Sequence, residues 1–150
     1  MEWSEVIDNP MLANLPFKIE LTRFGQLLMS PASNEHGRIQ SRLSAKFLRK
    51  PGGEVITECS IQTTNGIKVA DVAWLSEAFV SKYGFTTPYP KAPELCVEII
   101  SPSNSMEEMR EKIQLYLEAG AIEVWLVRGL DDIQIFNAAG EAGYSQYFSV

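Results

Sequence analysis

The chain has 150 residues, 45% of them hydrophobic and 21% charged, which is ordinary for a globular protein and predicts a single domain over residues 1–150. Its net charge of −6 and its pI of about 4.8 argue against a protein that coats nucleic acid through bulk charge. Cys59 and Cys96 are too few for a disulfide scaffold, no apolar run is long enough to span a bilayer, and no signal-peptide pattern is present, so the cytoplasm is the expected location.

An N-terminal hairpin and a long helix are predicted first, after a short helix or arm in the first fifteen residues. The hairpin strands are Phe17 to Thr22 and Gln26 to Met29, where polar and apolar residues alternate. Apolar residues then recur at helical spacing from Ile39 to Phe47, and Pro51-Gly52-Gly53 ends that helix.

Three strands are predicted from the middle of the chain. Val55 to Gln62 and Ile67 to Leu75 flank Asn65-Gly66, which is typical of a hairpin turn. A loop from about Lys82 to Pro93 leads to the third strand, Leu95 to Ile100.

A second helix and two strands complete the predicted order. The helix carries an apolar stripe from Met106 to Leu117 and ends at Gly120. The strands are Ile122 to Val127 and Ile133 to Phe136. The order of hairpin, helix, three strands, helix and two strands predicts an α/β layer fold with a mixed central sheet.

Glu98 is the only charged residue in its predicted strand, Leu95-Cys96-Val97-Glu98-Ile99-Ile100. Burying an unpaired carboxylate costs roughly several kcal/mol, so such a residue has a partner, a proton or a metal ion. Asp71 is isolated in the same way in the preceding strand.

Asp71 is predicted to share a strand face with Val69, Ala73 and Leu75. If its strand is the neighbour of the Glu98 strand, both carboxylates can converge on one hard cation. Mg²⁺ and Mn²⁺ prefer oxygen ligands and take few of them from the protein. The sequence therefore predicts a metal site with Asp71 and Glu98 as ligands.

Lys112 is the candidate for a basic group near an attacking water, because it flanks the buried stripe of the second helix. Two interpretations stay open from spacing alone. Lys112 either forms a salt bridge with Glu108, one turn earlier, or lies in the predicted site.

Five cations lie on the first long helix and at its C-terminal end, and two interpretations of them also stay open. They form either a solvated helix face or an edge that faces phosphate groups. The residues are Arg38, Arg42, Lys46, Arg49 and Lys50.

Three segments resemble the Uma2 family, which belongs to the PD-(D/E)XK nuclease superfamily. They are Val69-Ala70-Asp71-Val72-Ala73, the run from Leu95 to Ser103, and the run from Glu111 to Val127. Met29 to Gly37 is similar to the first-helix segment of the family. The resemblance covers roughly Phe17 to Phe136.

The resemblance implies a restriction-endonuclease-like core of order αβββαβ and metal-dependent hydrolysis of a nucleic-acid phosphodiester. By position, Asp71 and Glu98 match the motif aspartate and glutamate, both ligands of Mg²⁺ or Mn²⁺. The lysine that normally follows two residues after the glutamate is replaced by Ile100, and Lys112 on the following helix matches the family's lysine instead. Ala70 stands where the family usually has proline.

The first core helix of the superfamily often carries an acid that acts indirectly on the metal. Glu35 and His36 occupy that region and are further candidate catalytic residues, although a lone histidine is commonly a capping or hydrogen-bonding residue. Ser101 and Ser103 have no histidine placed to activate them and are predicted to be turn and capping residues.

The sequence thus favours a metal-dependent DNA endonuclease, with the aromatic Tyr83-Gly84-Phe85 segment as a candidate contact for a homodimer. Two alternatives stay open. One is a catalytically inactive nuclease-fold binding or regulatory module, and the other is a hydrolase of a different phosphate ester.

Overall fold

A computed structural model describes residues 1–102 and 104–150 of the chain. Ser103, predicted to lie in a turn, is outside the described residues. The helices are Trp3–Asp8 (α1), Asn34–Leu48 (α2), Glu77–Tyr83 (α3) and Met106–Glu118 (α4). The strands are Phe17–Leu21 (β1), Leu27–Pro31 (β2), Glu54–Thr63 (β3), Gly66–Leu75 (β4), Leu95–Ile99 (β5), Glu123–Gly129 (β6), Asp132–Asn137 (β7) and Gly140–Ala142 (β8).

These strands form one mixed sheet in the order β2-β1-β4-β5-β6-β7-β8. Strands β1 and β5 pair with opposite ends of β4 along one edge, and β3 pairs with its other edge. Strands β5 and β6 are parallel and are joined by α4, whereas the other pairings are antiparallel. The predicted α/β fold with an αβββαβ core is confirmed. The condition that brings Asp71 near Glu98 is also met, because β4 and β5 are neighbours.

One face of the sheet is covered by α2. Its apolar residues Ile39, Leu43 and Phe47 pack on side chains of β4, β5 and β6. We call Phe47, Trp74, Trp125, Tyr147 and Phe148 the aromatic core, in which the ring centroids of Phe47 and Trp125 are 5.3 Å apart in an edge-on arrangement. The C-terminal residues of the chain therefore close this side of the molecule.

The opposite face is covered by α4. Met109, Ile113 and Tyr116 pack there against Cys96 and Leu126, in the cluster that also holds most of the small side chains of the central strands. The sheet is therefore buried on both faces, which explains why β5 reads as a nearly continuous apolar run.

Two elements are absent from the sequence prediction. Helix α3 has only seven residues and one buried side chain, Phe79, so it has no apolar stripe to detect. The predicted loop from Lys82 overlaps its last turn. Strand β8 is three residues long and pairs only with β7. Among the helices of the described chain, none is long and apolar enough to cross a membrane.

Strand β4 has a gap along one edge. It pairs with β3 from end to end, but on the other side it pairs with β1 only at Ile67 and with β5 only from Val72 to Trp74. In this gap, carboxylates replace backbone carbonyls as acceptors. The backbone N–H of Val69 donates to Glu20 over 2.7 Å, and that of Ile99 donates to Asp71 over 2.7 Å.

The alternation of β4 changes at the same place. Val69 packs under α1, whereas Ala73 and Leu75 pack under α4. The prediction that these three residues share one face of the strand is therefore wrong. The change coincides with Glu58 of β3, which lies between the residues paired to Ala70 and Val72 and has a left-handed φ of 55°. A left-handed residue reverses the regular alternation of a strand, and sequence periodicity cannot foresee it.

Candidate active site

The gap beside β4 holds a group of buried ionisable side chains, which we call the charged cluster. Their exposed fractions run from 1% for Asp71 to 10% for Lys18. Two lysines and three carboxylates come from four separate elements, so each is brought in by the fold and not by its sequence neighbours. The members are Lys18 and Glu20 of β1, Asp71 of β4, Glu98 of β5 and Lys112 of α4.

Asp71 is surrounded by donors. Its Oδ1 lies 3.1 Å from Lys18 Nζ and 3.2 Å from His36 Nε2, and its Oδ2 accepts from the backbone N–H of Ile99. Burial opposes ionisation, but Lys18 and His36 outweigh it and hold the pKa of Asp71 well below its ordinary value. Asp71 is therefore a carboxylate at neutral pH.

Glu98 has a different balance. Its Oε1 accepts from Tyr116 Oη over 2.6 Å and lies 3.4 Å from Lys112 Nζ, and its Oε2 lies 3.0 Å from Lys18 Nζ. Burial is the largest influence and raises the pKa of Glu98, against the attraction of Lys112 and Lys18, while Asp71 repels its charge. Two neighbouring carboxyl groups whose pKa values are driven apart are typical of a reactive site.

Lys18 joins the two predicted ligands and was missed as a site residue. Burial alone lowers its pKa, but Glu98, Asp71 and Glu20 hold it well above the ordinary value, so it is an ammonium. The signal lay in β1, where Lys18 and Glu20 alternate with apolar residues. That alternation predicts the hairpin correctly and places Lys18 and Glu20 on one face of β1, but nothing in it shows that this face is buried.

Lys112 lies in the site, and the alternative of a salt bridge with Glu108 is not observed. Within the described chain its ion pairs are with Glu20 over 2.9 Å and with Glu98 over 3.4 Å. Burial raises the pKa of Glu20, but the attraction of Lys18 and Lys112 outweighs it, so the pKa lies below its ordinary value. Lys112 therefore connects Glu98 to Glu20, the second site residue that sequence analysis missed.

The two candidates on α2 have different surroundings. The side chain of His36 points to Asp71, and their hydrogen bond raises the pKa of His36 despite partial burial. Glu35 does not join the cluster. It lies one residue earlier in the exposed first turn, where it forms a two-bond pair with Arg38. Neighbouring helix residues point about 100° apart, so only one of the two can face the site.

Gln40 and Glu58 support Asp71 from outside the cluster. Gln40 Nε2 donates to the backbone carbonyl of Asp71 over 2.7 Å and to Glu58 Oε1 over 2.8 Å. These bonds tie α2 to the irregular part of β3 and β4. Neither residue could be recognised from the sequence, because both look like ordinary exposed polar positions.

The side chains fit a divalent cation that is held by few protein ligands. Asp71 and Glu98 converge on one position. The ammonium of Lys18 lies there, within 3.1 Å of an oxygen of each carboxyl group. Within residues 1–102 and 104–150 there is no group of three or more His, Cys, Asp and Glu side chains that could hold a metal. Two carboxylates match Mg²⁺, which keeps several waters and binds substrate phosphate oxygens.

A mixed sheet between two helices, with two convergent carboxylates on adjacent strands, defines a protein with a restriction-endonuclease-like fold. The model of the Uma2 family, described as "Putative restriction endonuclease", matches residues 4–147, and the chain belongs to this family. No curated protein matches the chain.

Among solved structures, the fold is similar to a "putative nuclease belonging to DUF820" from Anabaena variabilis ATCC 29413. The TM-score is 0.62 at 18% sequence identity, over 79% of this chain and 76% of the other. At this identity the likeness shows a common fold.

Proposed function

We propose that this chain is an endonuclease that hydrolyses DNA phosphodiester bonds with Mg²⁺ or Mn²⁺ held by Asp71 and Glu98. The observation that carries the proposal is the convergence of these two buried carboxylates on a single cation position. The bound ion would supply a Lewis acid for a phosphate oxygen and would lower the pKa of an attacking water.

The other residues of the cluster have distinct parts in the proposal. Lys112 lies beside Glu98, where its ammonium orients the attacking water and stabilises the negative charge that develops on phosphorus-bound oxygen. His36 holds Asp71 in position, and Tyr116 does the same for Glu98. Water adds to phosphorus and gives up a proton to solvent, the P–O bond to the leaving nucleotide breaks, and the leaving oxygen takes up a proton from solvent.

The exposed side of α2 supports a nucleic-acid substrate. No acid occurs between residues 36 and 53, and five of the 13 cations of the chain lie there, although the net charge is −6. Arg38, Arg42 and Arg49 are exposed, and the helix begins at the site through His36. Local positive charge of this kind is what binds a phosphate backbone.

The central experiment is the nicking of supercoiled plasmid DNA by the purified chain with Mg²⁺, Mn²⁺ or EDTA. We expect nicking with the metals only, and a loss of about 10²–10³-fold in Asp71→Asn, as when a key electrostatic group is removed. Lys91→Gln, an exposed charge change far from the site, is the matched control. A wild-type chain that nicks no better than Asp71→Asn contradicts the proposal.

The role of α2 has its own measurement. The triple variant R42Q/K46Q/R49Q should lower the slope of log affinity against log salt for duplex DNA by about 2–3, since each lost phosphate contact accounts for about 0.9. The exposed triple K82Q/K91Q/R128Q has the same charge change and should leave the slope unaltered. Equal slopes in both triples would show that the α2 cations are only a solvated face.

A second function is favoured by one observation, the position of Lys18. Its ammonium already bridges Asp71 and Glu98, so the chain can neutralise both acids without a metal. A DNA-binding module without turnover is the function this arrangement would serve. Titration calorimetry with Mn²⁺ separates the two, because the endonuclease binds the ion at one site that Asp71→Asn removes, and the module does not.

A homodimer belongs to the same proposal, because two copies are needed to cut both strands in one encounter. Phe85 is 67% exposed in the segment that follows α3. Sedimentation of the wild-type chain and of Phe85→Ser tests this contact, with loss of a dimer as the expected result.

A further inference from the structure

A cavity next to the charged cluster contains a buried lysine that the proposed chemistry does not use. The cavity has a volume of about 460 Å³ and lies between the β1–β2 hairpin, the start of β4 and α4. Lys68 of β4 lines it and is only 5% exposed. Among the described residues, no ion pair or hydrogen bond is made by its ammonium. Its stem is buried and its ammonium borders the cavity, so the cavity holds a positive charge that has no counter-charge among the described residues.

The acids of the cavity wall do not provide that counter-charge, since each is engaged elsewhere. Glu20 is paired with Lys112. Glu111 accepts from Asn65 Nδ2 over 2.7 Å, and Glu108 accepts from Asn104 over 3.4 Å. Glu108 and Glu111 are also exposed, so solvent screens their charge. Lys68 is the charged side chain of the described wall that still lacks a counter-charge.

The cavity opens onto the candidate active site. Ser30, Pro31, Asn104 and Lys112 line both this cavity and the smaller recess that contains Asp71 and Glu98. A nucleic-acid strand with one phosphate at the carboxylates would therefore have its next phosphates close to Lys68. Leu28 and Met29 of β2 form an apolar wall against which a sugar and base can pack.

We propose that this cavity binds a phosphate group of the substrate strand beside the one that is hydrolysed, with Lys68 as the anchoring cation. The inference rests on the proposed function for its substrate, whereas the phosphate site itself rests on Lys68 and the cavity. Lys68 is a positioning residue for the strand and takes no part in bond breaking.

The first arm of the experiment uses inorganic phosphate and is independent of nuclease activity. At constant ionic strength, phosphate should raise the melting temperature of the wild type and of the exposed-lysine control Lys91→Met, but not of Lys68→Met. Lys68→Met keeps an apolar chain of similar length along the buried stem and removes only the charge, so it should fold about as stably as the wild type. An equal shift in all three proteins, or none in the wild type, overturns the phosphate site.

The second arm uses DNA duplexes in which single phosphates are replaced by uncharged methylphosphonates, with EDTA present. One replacement next to the cleaved bond should weaken wild-type binding about tenfold, as expected for a lost charged hydrogen bond, and should weaken Lys68→Met less than about twofold. If every replacement affects both proteins equally, Lys68 contacts no phosphate of the strand. If the phosphate arm succeeds and plasmid nicking fails, the site stands and the endonuclease proposal falls.

Discussion

Helix α2 contacts two buried regions that differ in almost every physical respect. Near its C-terminal end, Phe47 lies in the aromatic core, and in its first turn His36 contacts Asp71 of the charged cluster. The two positions are 11 residues apart, or about 16 Å along the helix. One region consists mainly of packed rings, with the Lys50 ammonium over three of them, and the other consists of five buried ionisable groups.

The difference shows where stability is gained and where it is given up. Each buried ring in the aromatic core contributes through the area removed from water and through close packing. In the charged cluster, desolvation offsets most of the attraction, and well-packed apolar side chains would be at least as stable. The aromatic core therefore explains the fold, and the charged cluster calls for a functional explanation.

The largest expected effect is in the aromatic core. Phe47→Ala should lower the free energy of unfolding by about 4–5 kcal/mol, the upper part of the range for this change, because Phe47 is fully buried against two other rings. The same change at the exposed neighbouring residue, Leu48→Ala, should lower the free energy of unfolding by less than about 0.5 kcal/mol. Denaturant titration measures both, and Mn²⁺ should restore nothing to Phe47→Ala.

Lys18→Met should have the next largest effect on the free energy of unfolding, and this effect should depend on metal. Without metal it should cost about 3–4 kcal/mol, because it leaves two buried carboxylates without their common cation. Mn²⁺ should then stabilise this variant more than the wild type, since the ammonium no longer occupies the position between Asp71 and Glu98. A loss no greater than that of Lys91→Met, or a loss that Mn²⁺ does not reduce, would show that the cluster is not a cation site.

Deleting a tyrosine hydroxyl compares two kinds of acceptor, the buried carboxyl group of Glu98 and a backbone carbonyl outside the charged cluster. Tyr116→Phe removes a donor to the charged Glu98 and should cost about 1.5–3 kcal/mol. Tyr89→Phe removes a donor to the neutral carbonyl of Gly84 and should cost about 1 kcal/mol. Chemical denaturation in EDTA gives both values, and equal losses would mean that Glu98 is neutral in the folded chain.

The smallest effect concerns the strand irregularity beside the charged cluster. Glu58→Gly should be more stable than Glu58→Ala by about 1 kcal/mol, since only glycine adopts a positive φ without strain. At the preceding residue, which has ordinary strand geometry, Thr57→Gly should be less stable than Thr57→Ala by about 0.5–1 kcal/mol. Glycine should thus be more stable than alanine at Glu58 and less stable than alanine at Thr57, and chemical denaturation of the four variants measures both differences. The same order at both positions would contradict a left-handed Glu58.

Much of the fold could be predicted because its signals are local. The apolar stripes of α2 and α4 and the apolar runs of β4 and β5 each follow from the periodicity of one segment. Helix α3 and strand β8 could not be found in this way, because elements of seven and three residues contain too little of any period.

The candidate site divides in a similar way. Asp71 and Glu98 were recognisable because a lone acid in an apolar strand is anomalous within its own segment. Lys18 and Glu20 were not, because a polar face of a hairpin normally faces water, and only the packing of β1 beside β4 and α4 buries it. Glu35 looked as suitable as His36 until the rotation of α2 was known.

The sequence by itself therefore determined the order of the elements, the apolar faces and two of the buried acids, since each is written within one stretch of chain. The tertiary structure alone decided which cations reach those acids, where the sheet opens beside β4, and that Lys68 borders a cavity with no partner among the described residues. These features depend on distances between residues as far apart as Lys18 and Glu98, which are 80 positions from each other along the chain. Side-chain electrostatics is decided by such distances and by burial, and neither is contained in a local pattern.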